Sequence, residues 1–373
     1  MNRKINISFL FLFLPVLVFS QRFAIIGDIQ GASIYTYYVS NLVKSWNPEF
    51  IITCGDNYYP LQDSIDHQVG QFYHEFISPY YGNYGYGDTI NRFFPSLGNH
   101  DYEALDTNEY RDYFTLPNNE RYYDFVKGNV HLFALNSVLI EHDGTADTSL
   151  QAQWLQTQLA FSVSAYNIVY FHHPPYSSSY HGSSAYMRWP FKQWGATAVF
   201  SGNDHNYERS IIDSFPYFVC GTGGGSLYTI YDTIPGSQIH YSYKHGAILA
   251  EANDDSITFK FINVSDSLIE QYSIHHIQTD VNNDLVKNEF QVFQNYPNPF
   301  ASKSIIKFFI NKPGNVNIKA YNILGEDAGI ITNESMTSGY HEIIWDARNL
   351  KSGIYYYCLY FEDTIIFKKA IIL

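Results

Sequence analysis

Five short apolar runs in this chain each end in a side chain that can bind metal, and that repetition constrains the fold more than any other feature. Phe23-Ala24-Ile25-Ile26 leads into Gly27-Asp28, and Phe50-Ile51-Ile52-Thr53-Cys54 into Gly55-Asp56-Asn57-Tyr58-Tyr59. Phe93-Phe94-Pro95-Ser96-Leu97 precedes Gly98-Asn99-His100-Asp101, and Ile168-Val169-Tyr170-Phe171 precedes His172-His173-Pro174-Pro175. Ala198-Val199-Phe200 runs to Ser201-Gly202-Asn203-Asp204-His205. Runs this short, rich in β-branched and aromatic residues and bounded by Gly or Pro, read as buried strands. An open α/β sheet gathers its ligands beyond the carboxyl ends of the strands. The carboxylates, amides, imidazoles and one phenol should therefore meet in a single crevice, a metal site expected to take two ions.

The 373 residues are enough for one large and one small domain. A formal charge of −14, with no Lys/Arg block, argues against a nucleic-acid surface. An acidic protein that handles anions needs a local source of positive charge, which bound metal would supply.

Residues 1–20 read as a signal peptide: Arg3 and Lys4, an apolar stretch from Phe9 to Phe19, and a small Ser20 before Gln21. The apolar stretch is short for a membrane span, and no later segment is a candidate to cross a bilayer. Cys54, Cys220 and Cys358 stand singly in apolar runs without CxxC spacing. They read as small buried residues, and nothing in the spacing argues for a Cys54–Cys220 pair.

Residues 21–277 are expected to form one α/β domain. Helices are expected at Tyr35 to Lys44, at Leu150 to Phe161 and from Pro190 to near Trp194. In the second, Leu150, Trp154, Leu155 and Leu159 fall on one face. Beyond His205 the pattern turns to strands, with Gly246–Glu251 and Ser256–Phe261 forming a hairpin around Asn253-Asp254-Asp255. Residues 278–292 read as a linker, and 293–373 as a small β-sandwich of short strands and Gly turns.

The donor types carry chemistry. Asp56 can give one oxygen to each of two ions. Tyr59, three residues on, would ligate only a strongly Lewis-acidic ion such as Fe(III), because a free phenol ionises near pH ~10. Asn99 offers an amide oxygen, and His172 and His205 imidazoles that suit Fe or Zn.

Taken in order, Gly27-Asp28, the Gly55–Tyr59 segment, Gly98-Asn99-His100-Asp101, His172 and Gly202-Asn203-Asp204-His205 resemble the calcineurin-like metallophosphoesterases. Tyr59 narrows the resemblance to purple acid phosphatases of the small, tartrate-resistant kind. The likeness runs from about Arg22 to Ile274. It implies a four-layer αββα sandwich. It also implies Fe(III) held by Asp28, Asp56, Tyr59 and His205, and a second divalent ion (Fe, Zn or Mn) held by Asp56, Asn99 and His172. His100 and His181, the latter nine residues past His172, match positions that contact phosphate or protonate the leaving group. The activity implied is direct hydrolysis of small phosphomonoesters, without a phosphoenzyme.

Two positions depart from the family pattern. Asn203 stands where a histidine is usual, so the second site should be weaker or differently filled. Gln30 stands where a small residue is usual and is expected to narrow the pocket. His173 reads as a packing residue, Asp101 and Tyr102 as structural. The run Gly221 to Gly225 lacks the Lys-Ser/Thr of a phosphate loop and reads as a turn near the site. A phosphodiesterase or nucleotidase would use the same metals, and a non-catalytic surface binding protein with a degraded second site is the other alternative.

The segments Gln294–Phe300, Tyr321-Asn322-Ile323-Leu324-Gly325, Trp345-Asp346 and Leu350–Tyr357 resemble a type IX secretion sorting domain. That resemblance implies export through the periplasm of a Gram-negative cell, handling by outer-membrane secretion machinery, and a secreted or surface-attached product. The rival is a permanent accessory module.

Overall fold

The computed structural model describes residues 21–103, 107–276, 290–362 and 364–373. The expected signal peptide and most of the expected linker lie outside these residues. The chain divides into two compact units: residues 1–152 with 163–276, and residues 153–162 with 277–373.

The first unit is built on two facing sheets. One has β1 (Gln21–Ile26), β2 (Phe50–Thr53) and β3 (Phe93–Pro95) parallel and adjacent. It is extended antiparallel beyond β1 by β11 (Gly246–Ala252), β12 (Ser256–Asn263) and β13 (Ser267–His275). The other contains β4 (Tyr123–Lys127), β5 (Val130–Ala134), β6 (Tyr166–Phe171), β7 (Ala198–Ser201), β8 (Tyr207–Ile212), β9 (Phe215–Cys220) and β10 (Ser237–Tyr241), in the order β10-β8-β9-β7-β6-β5-β4. Within it β5, β6, β7 and β9 run parallel.

The strands closest to the site are buried along their length. Phe50–Thr53 and Ala198–Ser201 have no exposed position, the pattern of a strand covered on both faces. Aromatic pairs join the sheets, including Phe200 with Phe259 at 4.8 Å and Tyr207 stacked on Phe261 at 4.1 Å. The five ligand-tipped runs are thus shared between two sheets, three in one and two in the other. The ligands meet where the carboxyl ends of both sheets come together, rather than along a single open sheet.

Helix α1 (Ile34–Ser45) follows β1 and packs on β11. The Ser33 hydroxyl accepts from the Thr36 backbone N–H at 3.1 Å and caps it. Val39, Leu42 and Val43 face inward. The helix Leu150–Phe161 has the expected bounds, but its apolar face differs. Leu150 is 62% exposed, and Gln151 and Ala152 join Leu155 and Leu159 as the buried set. Gln151 is drawn in because its amide satisfies the Asn136 N–H at 2.7 Å and the Asn136 and Gly144 carbonyls at 3.0 Å.

The second unit carries a three-stranded sheet of β14 (Gln291–Val292), β15 (Lys303–Ile310) and β18 (Gly339–Asp346). Its other sheet contains β16 (Gly314–Asn322), β17 (Asp327–Met336), β19 (Gly353–Phe361) and β20 (Thr364–Ile372). Inward positions alternate along β15 and β16, and Ile306, Phe308, Val316, Ile318, Trp345, Tyr357 and Leu359 form its core. This is the small all-β sandwich expected. Its pairing begins at Gln291, within the segment expected to be linker. Among the described residues no helix is long and apolar enough to cross a membrane.

Candidate metal centre

Four of the five ligand-bearing turns, all but that of His172, begin with a glycine, and at three of them the next wall of the site leaves no room for a Cβ. A Cβ at Gly55 would lie 2.6 Å from His172, one at Gly98 2.2 Å from Asp56 Oδ1, and one at Gly202 2.4 Å from Asp28 Oδ2. Only glycine lets these turns close on one another. The residues that follow are held in the left-handed region: Asp28 at φ 57°, Asp56 at 51° and Asn203 at 65°. Non-glycine residues occupy that region at a cost and persist there where the surroundings over-determine them. Main-chain bonds supply the restraint. The Asp28 N–H donates to the Gly55 carbonyl at 3.2 Å and the Gly202 N–H to the His172 carbonyl at 2.9 Å. The Asn203 N–H donates to both Asp28 oxygens at 3.0 Å.

One ligand atom each from Asp28, Asp56 and His172 lies within 4.8 Å of the others, and all three residues are buried. His172 Nε2 is 3.3 Å from Asp56 Oδ2 and 3.0 Å from Asn99 Oδ1. His205 Nε2 is 3.5 Å from Asp28 Oδ1. In both histidines the other ring nitrogen is committed: His172 Nδ1 donates to the Cys54 carbonyl at 3.0 Å and His205 Nδ1 to the Ser226 carbonyl at 2.8 Å. That pattern fixes the tautomer with Nε2 turned to the crevice, the arrangement a ligating imidazole requires.

The electrostatics point the same way. Burial would raise the Asp56 carboxyl, but His172 and His100 outweigh it and hold it at about 2. Burial would lower the His172 imidazole, but Asp56 and Asp28 overcome that and raise it. The two buried carboxylates thus favour positive charge beside them, so the cluster is built to face a cation. The Tyr59 hydroxyl is buried and makes no hydrogen bond of normal geometry. Burial, then Asp56 and Asp28, push its pKa up, while the Gln30 amide beside it favours the phenolate. A buried phenol with no well-formed hydrogen bond, beside two carboxylates, is costly unless something else meets its oxygen. A metal ion is a group that fits this donor set.

The remaining expected residues surround this cluster. His100 packs its ring on Tyr59 at 4.1 Å, places Nε2 3.8 Å from Asp56 Oδ2 and engages the Glu103 carboxylate through Nδ1. Its backbone N–H donates to Asp56 Oδ1 at 2.9 Å. His181 is exposed, 5.5 Å from Tyr228, whose ring in turn stacks on His205 at 4.3 Å. His173 is a partly buried packing residue: it lies edge-on to His172, bonds Ser137, and desolvation followed by His172 lowers it to about 3. Gln30 extends toward Gly225, where its Oε1 would lie 2.0 Å from a Cβ. The glycine run is a close-approach strip. Gly223 donates to the Gly27 carbonyl at 2.9 Å, and a Cβ at Gly221 would meet Asp28 Oδ2 at 2.8 Å.

Asp204 and Glu103 escaped sequence reasoning, whereas Asp101 has the structural part expected of it. Asp101 accepts from the N–H groups of Asn57 at 3.0 Å, Tyr58 at 3.2 Å and Gly98 at 2.7 Å, tying the second and third turns together. Asp204 accepts from Ser177 Oγ at 2.5 Å and the His181 N–H at 2.8 Å, and so carries the His181 loop. Glu103 orients His100. Buried acceptors of backbone N–H groups leave no periodic trace, although Asp101 and Asp204 each sit inside a ligand turn.

Comparison with known families agrees with this geometry. The family model described as calcineurin-like phosphoesterase matches residues 21–207, half of the chain. The chain belongs to the calcineurin-like phosphoesterase family. The secretion system C-terminal sorting domain matches residues 294–373, which makes this phosphoesterase an exported protein, secreted or held at the cell surface. No curated protein is significantly similar to it in sequence. Among solved structures it is similar to GAP50, described as the anchor in the inner membrane complex of Plasmodium. That match has 18% identity over 69% of this chain and 89% of that one, with a TM-score of 0.54. It is also similar to purple acid phosphatase PPD1 from yellow lupin (Lupinus luteus) seeds, with 16% identity and a TM-score of 0.57 over 69% of this chain. The match spans 54% of the lupin protein. At these identities the likeness is one of fold.

Proposed function

We propose that this phosphoesterase is an exported acid phosphatase acting on small phosphomonoesters. Fe(III) would be held by Asp28, Asp56, Tyr59 and His205, and a second divalent ion (Fe, Zn or Mn) by Asp56, Asn99 and His172, with the Asn203 amide at its edge. The observation that carries the reading is the buried Tyr59 hydroxyl, which makes no hydrogen bond of normal geometry and feels the charges of Asp56 and Asp28. Bound there, the ions would supply Lewis acidity at the phosphoryl oxygens and acidify a water for in-line attack.

The chain's own residues do the rest. Asp56 is anchored by the His100 N–H, which fixes its two oxygens in place. The Glu103 carboxylate holds His100 Nδ1 and leaves Nε2 facing the crevice, where it can bind a phosphate oxygen and pass its proton to the departing alkoxide. His181, whose loop Asp204 carries, would share this task. The site's carboxylates are already engaged with imidazoles and N–H groups, which favours direct hydrolysis over a phosphorylated protein side chain.

Turnover of phenyl phosphate beside diphenyl phosphate tests this reading with metal-reconstituted full chain. Monoester hydrolysis that outpaces the diester supports it, and a diester preference replaces it with a phosphodiesterase. Asn203 favours a second reading, binding without catalysis, because an amide donates to a dication more weakly than an imidazole. Inertness toward both esters at full metal occupancy would favour that reading.

A further inference from the structure

Cys54 and Cys220 bring their sulfur atoms to 3.5 Å of one another, in a place where a covalent bond would matter. Cys54 follows β2 of the first sheet and Cys220 ends β9 of the second. Both are buried, at 0% and 1% exposure. The Cys220 sulfur also lies 3.2 Å from the Ser201 carbonyl. The pair sits directly behind the metal centre: the Cys54 carbonyl anchors His172 Nδ1 and the next two residues are Gly55 and Asp56. On the other side Gly221, next after Cys220, lies against Asp28. Neither thiol belongs to the ligand cluster of Asp28, Asp56 and His172. Cys358 is buried in the other unit.

We propose that in the exported protein Cys54 and Cys220 are joined as a disulfide that staples the two sheets together behind the metal centre. Contact distance must shorten by about 1.5 Å to reach a bonded sulfur pair, a change that small side-chain rotations can supply. The sorting domain sends this chain out of the cytoplasm, where disulfides form and persist. Both S–H bonds break as the Sγ–Sγ bond forms. The two electrons and two protons pass to a disulfide donor of the exported compartment, whose own S–S bond opens to two thiols. Because both sulfurs are inaccessible once the sheets have closed, the exchange belongs to folding. The bond would span 166 positions of sequence, a long loop whose closure restrains the unfolded chain strongly. It would also fix the Cys54 carbonyl, and through it His172, relative to the turn that follows β9.

The test is thiol mapping of the full chain folded in an oxidising periplasm. It is denatured in iodoacetamide without reductant and digested. The expected result is one linked peptide containing Cys54 and Cys220, with Cys358 alkylated. Reductant added to the denatured chain should release the link, and protein refolded in reductant should melt at least about 5 °C below the oxidised protein. Alkylated Cys54 and Cys220 in the unreduced sample, or a link from either to Cys358, would overturn the proposal. A Cys54→Ala, Cys220→Ala chain should melt at the same temperature whether refolded with or without reductant. If that chain does not fold, the mapping still decides.

Discussion

His172 Nε2 stands 3.3 Å from Asp56 Oδ2 while its Nδ1 donates to the Cys54 carbonyl, so one imidazole ties the second turn of the first sheet to the end of β6 in the second. Asp56 is the centre of this arrangement, touched by His172, His100 and the His100 backbone. Replacing it with Asn keeps the shape and removes the charge that both imidazoles and a cation require. Asp56→Asn should lower phosphomonoester kcat by at least about 10²–10³-fold, with an unchanged far-ultraviolet dichroism spectrum.

Tyr59 has a different expected signature. A phenolate bound to Fe(III) absorbs visible light, and a phenylalanine in its place cannot. Iron-loaded Tyr59→Phe should retain iron by elemental analysis yet lose the visible band. A band that persists in the variant would remove Tyr59 from the ligand set.

The glycines are as necessary as the ligands. In Gly98→Ala the new methyl would lie 2.2 Å from Asp56 Oδ1 and 2.3 Å from its backbone nitrogen, both in a turn that cannot move freely. Metal affinity, measured by calorimetry, should fall about 10–100-fold, comparable to loss of a group that orients a ligand. Stability should fall by about 1–3 kcal/mol.

Asp66 supplies a pH-dependent contribution away from the centre. Burial would raise its carboxyl, but hydrogen bonds from Tyr80 at 2.7 Å, Tyr113 at 2.9 Å and the Asn83 N–H at 2.9 Å outweigh this and lower it. A carboxyl depressed by folding stabilises the protein above its unfolded pKa, and that contribution disappears as pH falls through the folded value. Asp66→Asn should therefore cost about 1 kcal/mol near neutral pH, a figure reduced for the side chain's partial exposure. The difference from the parent should close as the pH drops below about 4 in urea titrations.

The parts of this molecule legible in its sequence are those whose cause is local. A buried strand followed by Gly and a donor residue announces both the element and the ligand, and Phe50–Thr53 with Asp56 is the plainest case. Long-range causes were not visible. Division of the five runs between two sheets depends on which strands pair, and β8, β10 and β13 do not run into a glycine-and-ligand turn that would mark them. Leu150 belongs to the apolar face by spacing, yet Gln151 takes the buried place because Asn136 lies across from it with unsatisfied groups. Asp101 looks like any turn residue until its acceptance of the Asn57, Tyr58 and Gly98 N–H groups is seen, and Asn57 and Tyr58 stand 44 and 43 positions away. The glycine run from Gly221 resembles a flexible turn, whereas its lack of side chains is what lets Gly27, Asp28 and His205 approach.

The most direct test of the metal-dependent account is phosphomonoester turnover during stepwise addition of Fe(III) and a divalent ion to chelator-stripped full chain. The account predicts no turnover in the stripped protein and a rise that saturates at two ions per chain, abolished by Asp56→Asn. Turnover that is independent of added metal, or that survives Asp56→Asn, would contradict it.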